Sequence, residues 1–267
     1  MTDSLDDFTL GSFSYRGVAH DVYRSGEGPA VIVIAEIPGI TPDVADFARK
    51  VRALGCTVIL PVLFGDPGRE VSGGYVAKSF GKACVSKEFA AFATRRTAPI
   101  SEWLRALARY AHDSFGGPGV GVVGMCFTGG FALGMMADES VIAPVLSQPS
   151  LPLPPFSKKA KASVQLSADD LTAVKDRVAD GICVLGLRFT GDMAVPGERF
   201  ETLCRELGDG FIGVEIDSSE GNPWGIPKRA HSVLTGDLVD EPGHPTREAL
   251  DQVLEFFRSR LVEPAAD

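Results

Sequence analysis

The sequence has little basic charge and no long apolar run. Lysine and arginine number 26 against 35 acidic residues, which gives a net charge of −9 at pH 7. No segment interleaves basic with aromatic side chains, as proteins that follow a phosphate backbone do. No apolar stretch reaches the ~20 residues of a membrane span, and the acidic N-terminus lacks the pattern of a secretory signal. We therefore expect a cytoplasmic protein with neither nucleic acid nor a membrane as its partner.

Cysteine is scarce, and its spacing excludes two common uses. The cysteines number five, an odd count, and include no CxxC pair. Disulfide frameworks need an even number of cysteines, and zinc sites usually draw their ligands in closely spaced pairs. The sequence therefore predicts reduced thiols and no metal at Cys56, Cys84, Cys126, Cys183 or Cys204.

The composition that remains is that of a globular protein. Of the 267 residues, 45% are hydrophobic and 23% are charged, and the mean hydropathy is +0.10. A chain of this length can bury roughly 75% of the surface that it exposes when unfolded, so its core needs no cross-link. We expect a single domain over residues 1–267.

Short runs rich in valine and isoleucine alternate with segments of helical period. The predicted strands span residues 31–37, 57–62, 120–125, 141–146, 182–189 and 211–216. The predicted helices span residues 43–54, 100–112, 129–137, 171–178, 196–207 and 246–260. This alternation, with strands that are apolar throughout, is typical of an α/β fold in which helices cover a mainly parallel sheet.

The N-terminal segment and two loops depart from this alternation. Residues 13–18 and 21–24 are predicted to pair as antiparallel strands at one edge of the sheet, because no helix-length segment separates them. Glycine and proline predict loops at residues 64–72 and 147–155.

The segment from Val120 to Gly134 carries the clearest chemical signal. An apolar strand runs into Gly124, Met125 and Cys126, and a helix of small residues follows. Such a sharp turn lifts one side chain clear of the sheet, and small residues let the strand and the helix approach each other. The helix N-terminus also favours the thiolate form of a cysteine. The sequence therefore predicts that Cys126 is a nucleophile.

Two other interpretations of this segment are weaker. Most free cysteines are small buried hydrophobic residues, and we interpret the other four cysteines in that way. Gly119, Gly121 and Gly124 also match the G-x-G-x-x-G pattern of dinucleotide sites. In those sites the glycines follow the strand, whereas here the first two begin it, so the pattern does not predict a nucleotide cofactor.

A cysteine nucleophile needs a base, and two later loops supply a histidine and an acid. Asp192 follows the strand predicted at residues 182–189, and His231 follows the strand predicted at residues 211–216. Nucleophile, acid and histidine occur in this chain order in α/β-hydrolases. Asp192 is alternatively the start of an Asx-turn, and Asp217 is a rival acid, disfavoured because it follows the strand assigned to the histidine. The other histidines are interpreted as surface or structural residues: His20, His112 and His244, the last as a turn or cap residue.

A carboxylate also lies where a central strand is predicted to end. Glu36 follows the apolar run at residues 31–35. Charged residues seldom occupy such a position without a partner. Glu36 is therefore either a salt-bridged residue at the strand end or a group that engages the thiol. The backbone N–H groups of Ile37 and Phe127 are the predicted oxyanion hole.

Together these motifs resemble the dienelactone hydrolase family, the cysteine-dependent members of the α/β-hydrolase superfamily. The matching segments are residues 35–39 (AEIPG), 124–130 (GMCFTGG), 191–196 (GDMAVP) and 230–232 (AHS). All four occur in the order that the family has. The resemblance implies an α/β-hydrolase fold with a mainly parallel central sheet flanked by helices.

The resemblance also implies a reaction, the hydrolysis of an ester or lactone through a thioester on Cys126. In that reaction His231 is the base, Asp192 orients it, Glu36 engages the thiol, and Ile37 and Phe127 supply the oxyanion N–H groups. No metal and no organic cofactor is implied. The implied partner is a small-molecule ester or lactone, and the protein is expected to be a monomer or a small homo-oligomer.

Two residues depart from the family pattern. Thr128 occupies the position where the family more often has its first glycine, and Thr235 occupies the position where lactone-binding members have an arginine. Arg95 and Arg96 are the remaining candidates for binding an anionic group of the substrate. The alternative for this pair is two solvated surface arginines.

Two further functions fit the same residues. A non-catalytic protein of this fold would bind a ligand without hydrolysing it, since fold alone does not determine function. A redox-sensing protein would use Cys126 as a thiol that peroxide oxidises faster than the other cysteines. The second alternative is weakened because no resolving cysteine lies nearby in the sequence.

Overall fold

An eight-stranded sheet forms the centre of the protein. A computed structural model describes residues 2–85, 99–151, 157–164 and 166–263. Its strands are β1 (Thr9–Tyr15), β2 (Val18–Ser25), β3 (Ala30–Ile34), β4 (Thr57–Pro61), β5 (Val120–Met125), β6 (Val141–Ser147), β7 (Val184–Phe189) and β8 (Phe211–Ile216). They lie in the order β1-β2-β4-β3-β5-β6-β7-β8. The pairs β1–β2 and β2–β4 are antiparallel, and the other five pairs are parallel.

Helices connect the parallel strands and cover both faces of the sheet. They are α1 (Pro42–Arg52), α2 (Gly73–Val85), α3 (Pro99–Phe115), α4 (Gly129–Met135), α5 (Lys158–Lys161), α6 (Ala168–Ala179), α7 (Gly197–Leu207) and α8 (Pro245–Phe257). Trp103, Phe131 and Phe200 belong to the core that packs α3, α4 and α7 on one face. Phe47 and Val253 belong to the core that packs α1 and α8 on the other face. The predicted α/β architecture, with antiparallel strands at the N-terminal edge, is confirmed.

Two of these helices begin with capping signals that are legible in the sequence. The Thr41 side chain accepts the N–H of Val44 at 3.3 Å, and the His244 side chain accepts the N–H of Thr246 at 3.3 Å. A proline follows each cap and occupies the first helical position, where its missing N–H costs nothing. The predicted capping role of His244 is confirmed.

The structure corrects the prediction for two elements in the N-terminal half of the chain. Helix α2 occupies residues where no helix is predicted, because its three glycines lower its intrinsic helix propensity. The N-terminal hairpin turns at Arg16 and Gly17, not between residues 18 and 21, and both turn residues have positive φ (50° and 81°). A two-residue turn of this kind matches the right-handed twist of a hairpin. Because the turn uses only these two residues, both strands are longer than predicted.

The sheet topology creates a crevice between two loops. After β3 the chain adds β4 on one side, and it then returns to add β5 on the other side. Loops at the carboxyl ends of parallel strands diverge at such a reversal and leave room for a ligand. Glu36 follows β3 and Cys126 follows β5, so both residues lie at this crevice.

Candidate active site

Cys126 follows β5 directly and has an unusual backbone conformation. Its φ is +56°, in the left-handed region that residues with a side chain seldom adopt. A 3₁₀ turn over Cys126–Thr128 then leads into α4. Strained backbone of this kind persists only where the surrounding structure holds it, and it is concentrated at functional sites. The turn leaves the Cys126 side chain half-buried.

Glycines provide the space for this turn. A Cβ atom at Gly124 would lie 2.3 Å from the carbonyl oxygen of Thr128. A Cβ atom at Gly129 would lie 2.8 Å from the Cβ atom of Pro149. Both contacts are shorter than real Cβ atoms make, so glycine is required where β5, α4 and the loop after β6 meet.

Thr128, one of the two departures from the family pattern, joins the turn to β3. Its hydroxyl accepts the N–H of Met125 at 2.8 Å and donates to the carbonyl of Ile34 at 2.9 Å. The side chain is fully buried, and a buried hydroxyl without partners would be costly. This threonine therefore fits the elbow without disrupting it.

The structure brings Cys126, His231 and Asp192 together at the carboxyl edge of the sheet. The Cys126 sulfur, a ring nitrogen of His231 and a carboxylate oxygen of Glu36 lie within 4.8 Å of one another. His231 Nδ1 is 2.6 Å from Asp192 Oδ2. Because Nδ1 faces the carboxylate, Nε2 is the ring nitrogen left for the sulfur.

Asp192 makes the contacts of both interpretations that the sequence allows. It is buried in the loop after β7, and its Oδ2 atom faces His231. Its Oδ1 atom accepts the N–H of Ala194 at 2.9 Å, as in an Asx-turn. The rival acid Asp217 is exposed and accepts the N–H of Ser219 at 2.8 Å.

The pKa of His231 responds to burial and to two neighbouring side chains. Burial lowers it, but the hydrogen bonds to Asp192 and to Cys126 outweigh burial and raise it to about 11. The contact with the Asp192 carboxylate therefore favours the protonated form of the ring. A cation facing Cys126 favours the thiolate, which is the nucleophilic form of the sulfur.

A carboxylate that the sequence analysis did not single out fixes the histidine loop. Asp237 Oδ2 accepts the backbone N–H of His231 at 2.8 Å and that of Ser232 at 3.0 Å. Hydrogen bonds to a charged acceptor are stronger than neutral ones. The main chain on both sides of the imidazole is thereby held in place.

Glu36 is buried and is surrounded by neutral donors. Its Oε2 atom accepts from Ser232 Oγ at 2.8 Å and from Gln148 Nε2 at 3.2 Å. Its Oε1 atom accepts from the hydroxyl of Thr235. Thr235, the second departure from the family pattern, thus contributes a hydroxyl where an arginine would contribute a charge. Within the described part of the chain, no lysine or arginine pairs with Glu36.

The loop after β6 supplies two site residues that the sequence analysis missed. Gln148 is buried with a φ of +36°, and its Oε1 atom accepts the N–H of Val233 at 3.3 Å. Ser150 is buried, and its Oγ atom lies 3.0 Å from the Cys126 sulfur. Both follow an apolar strand whose carboxyl end lies beside that of β5, so polar residues at strand ends were the available signal.

The remaining predicted site residues are the two oxyanion-hole residues and the two arginines. Ile37 and Phe127 directly follow Glu36 and Cys126, so their N–H groups belong to the two turns at the crevice. Arg95 and Arg96 lie outside the described residues.

The remaining cysteines divide by burial. Cys56 is fully buried, and burial raises the pKa of its thiol to about 11, which suits the structural interpretation. Cys183 is half-buried, whereas Cys204 is exposed on α7, contrary to the expectation that it packs among apolar residues. Cys84 belongs to α2.

Glu36, Cys126 and His231 also form the one cluster in the described ranges with three potential metal ligands in reach of one another. Glu36 is already engaged by neutral donors and His231 by Asp192, and we assign no metal to the cluster. Among the helices that the structure describes, none is long and apolar enough to cross a bilayer.

Comparisons with known proteins identify the family and the fold. A sequence model of the dienelactone hydrolase family matches residues 17–177. No curated protein sequence matches the chain.

Solved structures share the fold. The dienelactone hydrolase from Anabaena variabilis superposes with a TM-score of 0.60 at 16% identity, covering 95% of this chain and 98% of its own. The dienelactone hydrolase-like promiscuous phosphotriesterase P91 from metagenomic libraries gives 0.61 at 15% identity, with coverages of 95% and 98%.

A serine hydrolase without a lid from Xanthomonas campestris gives a TM-score of 0.56 at 12% identity, and 98% of each chain is covered. The predicted α/β-hydrolase fold is thereby confirmed, and family and fold together support a hydrolase. The chain belongs to the dienelactone hydrolase family.

Proposed function

We propose that the protein hydrolyses a carboxylic ester or lactone through a thioester on Cys126. The observation that carries the proposal is the alignment of a strained, half-buried cysteine, a histidine and a buried aspartate at one edge of the sheet. The hydrogen bond between His231 Nδ1 and Asp192 Oδ2, with a length of 2.6 Å, orients the ring. This arrangement is the one that nucleophilic acyl transfer needs.

The reaction has two halves. In the first, the Cys126 thiolate attacks the ester carbonyl, the C–O bond breaks, and His231 Nε2 gives its proton to the leaving alkoxide. In the second, His231 takes a proton from water, the hydroxide attacks the thioester, and the C–S bond breaks to return the thiolate and the acid. Asp192 holds the tautomer and stabilises the imidazolium in both halves.

The oxyanion of each tetrahedral intermediate needs donors that are already in place. Ile37 and Phe127 follow the carboxylate and the nucleophile in the two turns at the crevice. We assign their backbone N–H groups to this role. Fixed backbone donors are effective because they need no reorganisation as charge develops.

Pre-steady-state kinetics with a chromogenic activated ester test the proposal. We expect a burst of the leaving group equal to the enzyme concentration, followed by slower turnover that is limited by thioester hydrolysis. Absence of turnover across a broad panel of esters and lactones, together with saturable ligand binding, would support the non-catalytic alternative. Rapid peroxide oxidation of Cys126 without ester turnover would support the redox alternative.

Glu36 is assigned to the transfer of the thiol proton, which its carboxylate accepts from Cys126 and passes to His231 Nε2 before the thiolate attacks. Its carboxylate lies within 4.8 Å of both the Cys126 sulfur and a ring nitrogen of His231, and no described lysine or arginine pairs with it. Replacing Glu36 with glutamine removes the charge and keeps the side-chain shape. We expect the acylation rate to fall about 10²-fold, as for loss of a group that assists proton transfer.

The measurement for Glu36→Gln is the burst-phase rate constant. Glu220→Gln is the matched control, because that glutamate is exposed. We expect the control to acylate at the wild-type rate. A normal burst rate in Glu36→Gln contradicts the assigned role and leaves Glu36 as a structural carboxylate.

A further inference from the structure

One polar group in contact with the Cys126 sulfur is a serine that the reaction above does not use. Ser150 Oγ lies 3.0 Å from Cys126 Sγ, and Ser150 is 2% exposed. A second bond joins the same residues, since the Ser150 N–H donates to the Cys126 carbonyl at 3.0 Å. The two residues are thus connected through both main chain and side chain.

The segment that carries Ser150 is fixed from its other side. Pro149 packs so closely on Gly129 of α4 that a Cβ atom there would lie 2.8 Å from the proline Cβ atom. The carbonyl of Pro149 accepts a hydrogen bond from the guanidinium of Arg199, a residue of α7. A chain of contacts therefore runs from Arg199 through Pro149 and Ser150 to the nucleophile.

A buried arginine at position 199 is unfavourable for the stability of the fold. It is 2% exposed, and its Nε and Nη2 atoms have no hydrogen-bond partner among the described residues. Burial lowers its pKa to about 10, against the opposing effect of the Asp192 charge. Burying an incompletely paired charge weakens a fold, and apolar replacements of buried charges are often neutral or stabilising. The described contacts of this arginine near the site are its hydrogen bond to the Pro149 carbonyl and its charge interaction with Asp192.

We propose that Ser150 is a further catalytic residue whose hydroxyl donates a hydrogen bond to the Cys126 thiolate, and that Arg199 is a positioning residue that holds Ser150 in place. This inference rests on the proposed function, in which Cys126 is the nucleophile. A hydrogen bond to the charged form of a group favours that form. The same bond stabilises the sulfur as it leaves the tetrahedral intermediate in the second half of the reaction.

The pH dependence of Cys126 alkylation by iodoacetamide reports on this bond without any substrate. Among the described residues, the titratable groups that face the sulfur are His231 from the loop after β8 and Glu36 from the loop after β3. Trypsin places Cys126 in the fragment of residues 110–158, which contains none of the other four cysteines. Mass spectrometry of that fragment follows the reaction at Cys126 alone.

We expect Ser150→Ala to raise the alkylation midpoint by about one pH unit. Ser150→Thr, which keeps a hydroxyl, should restore the wild-type midpoint. The matched control is Ser259→Ala. Ser259 is exposed, and its hydroxyl donates to the Glu255 carbonyl at 2.9 Å, so this variant also loses one serine hydrogen bond but leaves Cys126 unchanged. An alkylation profile for Ser150→Ala that superimposes on the wild-type profile overturns the assignment of Ser150.

Arg199→Met separates positioning from stability. We expect its melting temperature to equal or exceed the wild-type value, while its alkylation midpoint moves in the same direction as that of Ser150→Ala. The double variant should shift no further than Ser150→Ala, because both changes remove one interaction. If Arg199→Met does not fold, Arg199→Lys replaces it, with a smaller shift expected.

A wild-type midpoint in the folded Arg199 variant overturns the positioning role. Failure of the proposed function is distinct from both results, because it appears as a missing acyl-enzyme in the wild-type protein, whatever the alkylation profiles show.

Discussion

Cys126→Ala is expected to lose turnover of an activated ester almost completely, with kcat/KM falling by about 10⁴-fold or more. The reason is that the covalent route disappears, and the residual rate comes only from substrate binding and the oxyanion donors. The fold should survive, because alanine removes a single sulfur atom from a half-buried side chain. Steady-state kinetics and the leaving-group burst measure the loss.

The matched control for this variant is Cys204→Ala. Cys204 is exposed on α7, so its removal should change neither turnover nor the burst. Retention of wild-type turnover by Cys126→Ala would falsify the assignment of the nucleophile. Loss of turnover in both variants would indicate general damage instead of loss of a specific group.

Asp192→Asn carries the second large expected effect. Asparagine keeps the size of the side chain but no longer stabilises the imidazolium and no longer fixes the tautomer of His231. We expect kcat to fall by about 10⁴-fold with little change in melting temperature. The hydrogen bond that His231 donates to Asp192 is also the largest of the contacts that raise the pKa of His231 against burial.

The pH dependence of Asp192→Asn follows from that contact. Without the carboxylate, the pKa of His231 falls from about 11, so less of the imidazolium is present to pair with the Cys126 thiolate at neutral pH. Alkylation of Cys126 by iodoacetamide at pH 7 should slow accordingly. The control is Asp217→Asn, the exposed rival acid, which should alter neither kcat nor the alkylation rate. Equal losses in the two aspartate variants would contradict the choice of Asp192.

The parts of the site that the sequence predicts are those with a local cause. The elbow at Cys126 is legible because Gly124 and Gly129 are required by close approach within a few residues of the turn. The placement of Asp192 and His231 follows from strand order, since the carboxyl ends of parallel strands share one edge of the sheet. Neither inference needs knowledge of how a loop folds.

The parts that the sequence does not predict depend on contacts between distant loops. Ser150 reaches Cys126 only because the loop after β6 is held by α4 and α7, and Asp237 reaches His231 by folding back on its own loop. Such contacts have no periodic signature. Helix α2 is not predicted for a different reason: its glycines have low helix propensity, although the folded protein is helical there.

Thr235 changes what can be expected of the substrate. The family pattern has an arginine at this position, whereas the Thr235 hydroxyl donates a hydrogen bond to the buried carboxylate of Glu36. An anionic group of a substrate therefore cannot find its partner at this position. The sequence-based candidates for that partner, Arg95 and Arg96, stay a prediction.

The central claim is that one sulfur carries the acyl group, and intact-mass spectrometry during turnover of an activated ester tests it most directly. We predict a single adduct of the acyl mass, which maps to the fragment of residues 110–158 at Cys126 and is released by neutral hydroxylamine as a thioester. An adduct on any other fragment would contradict the account. Turnover without a trappable adduct, in both the wild-type protein and Asp192→Asn, would also contradict it.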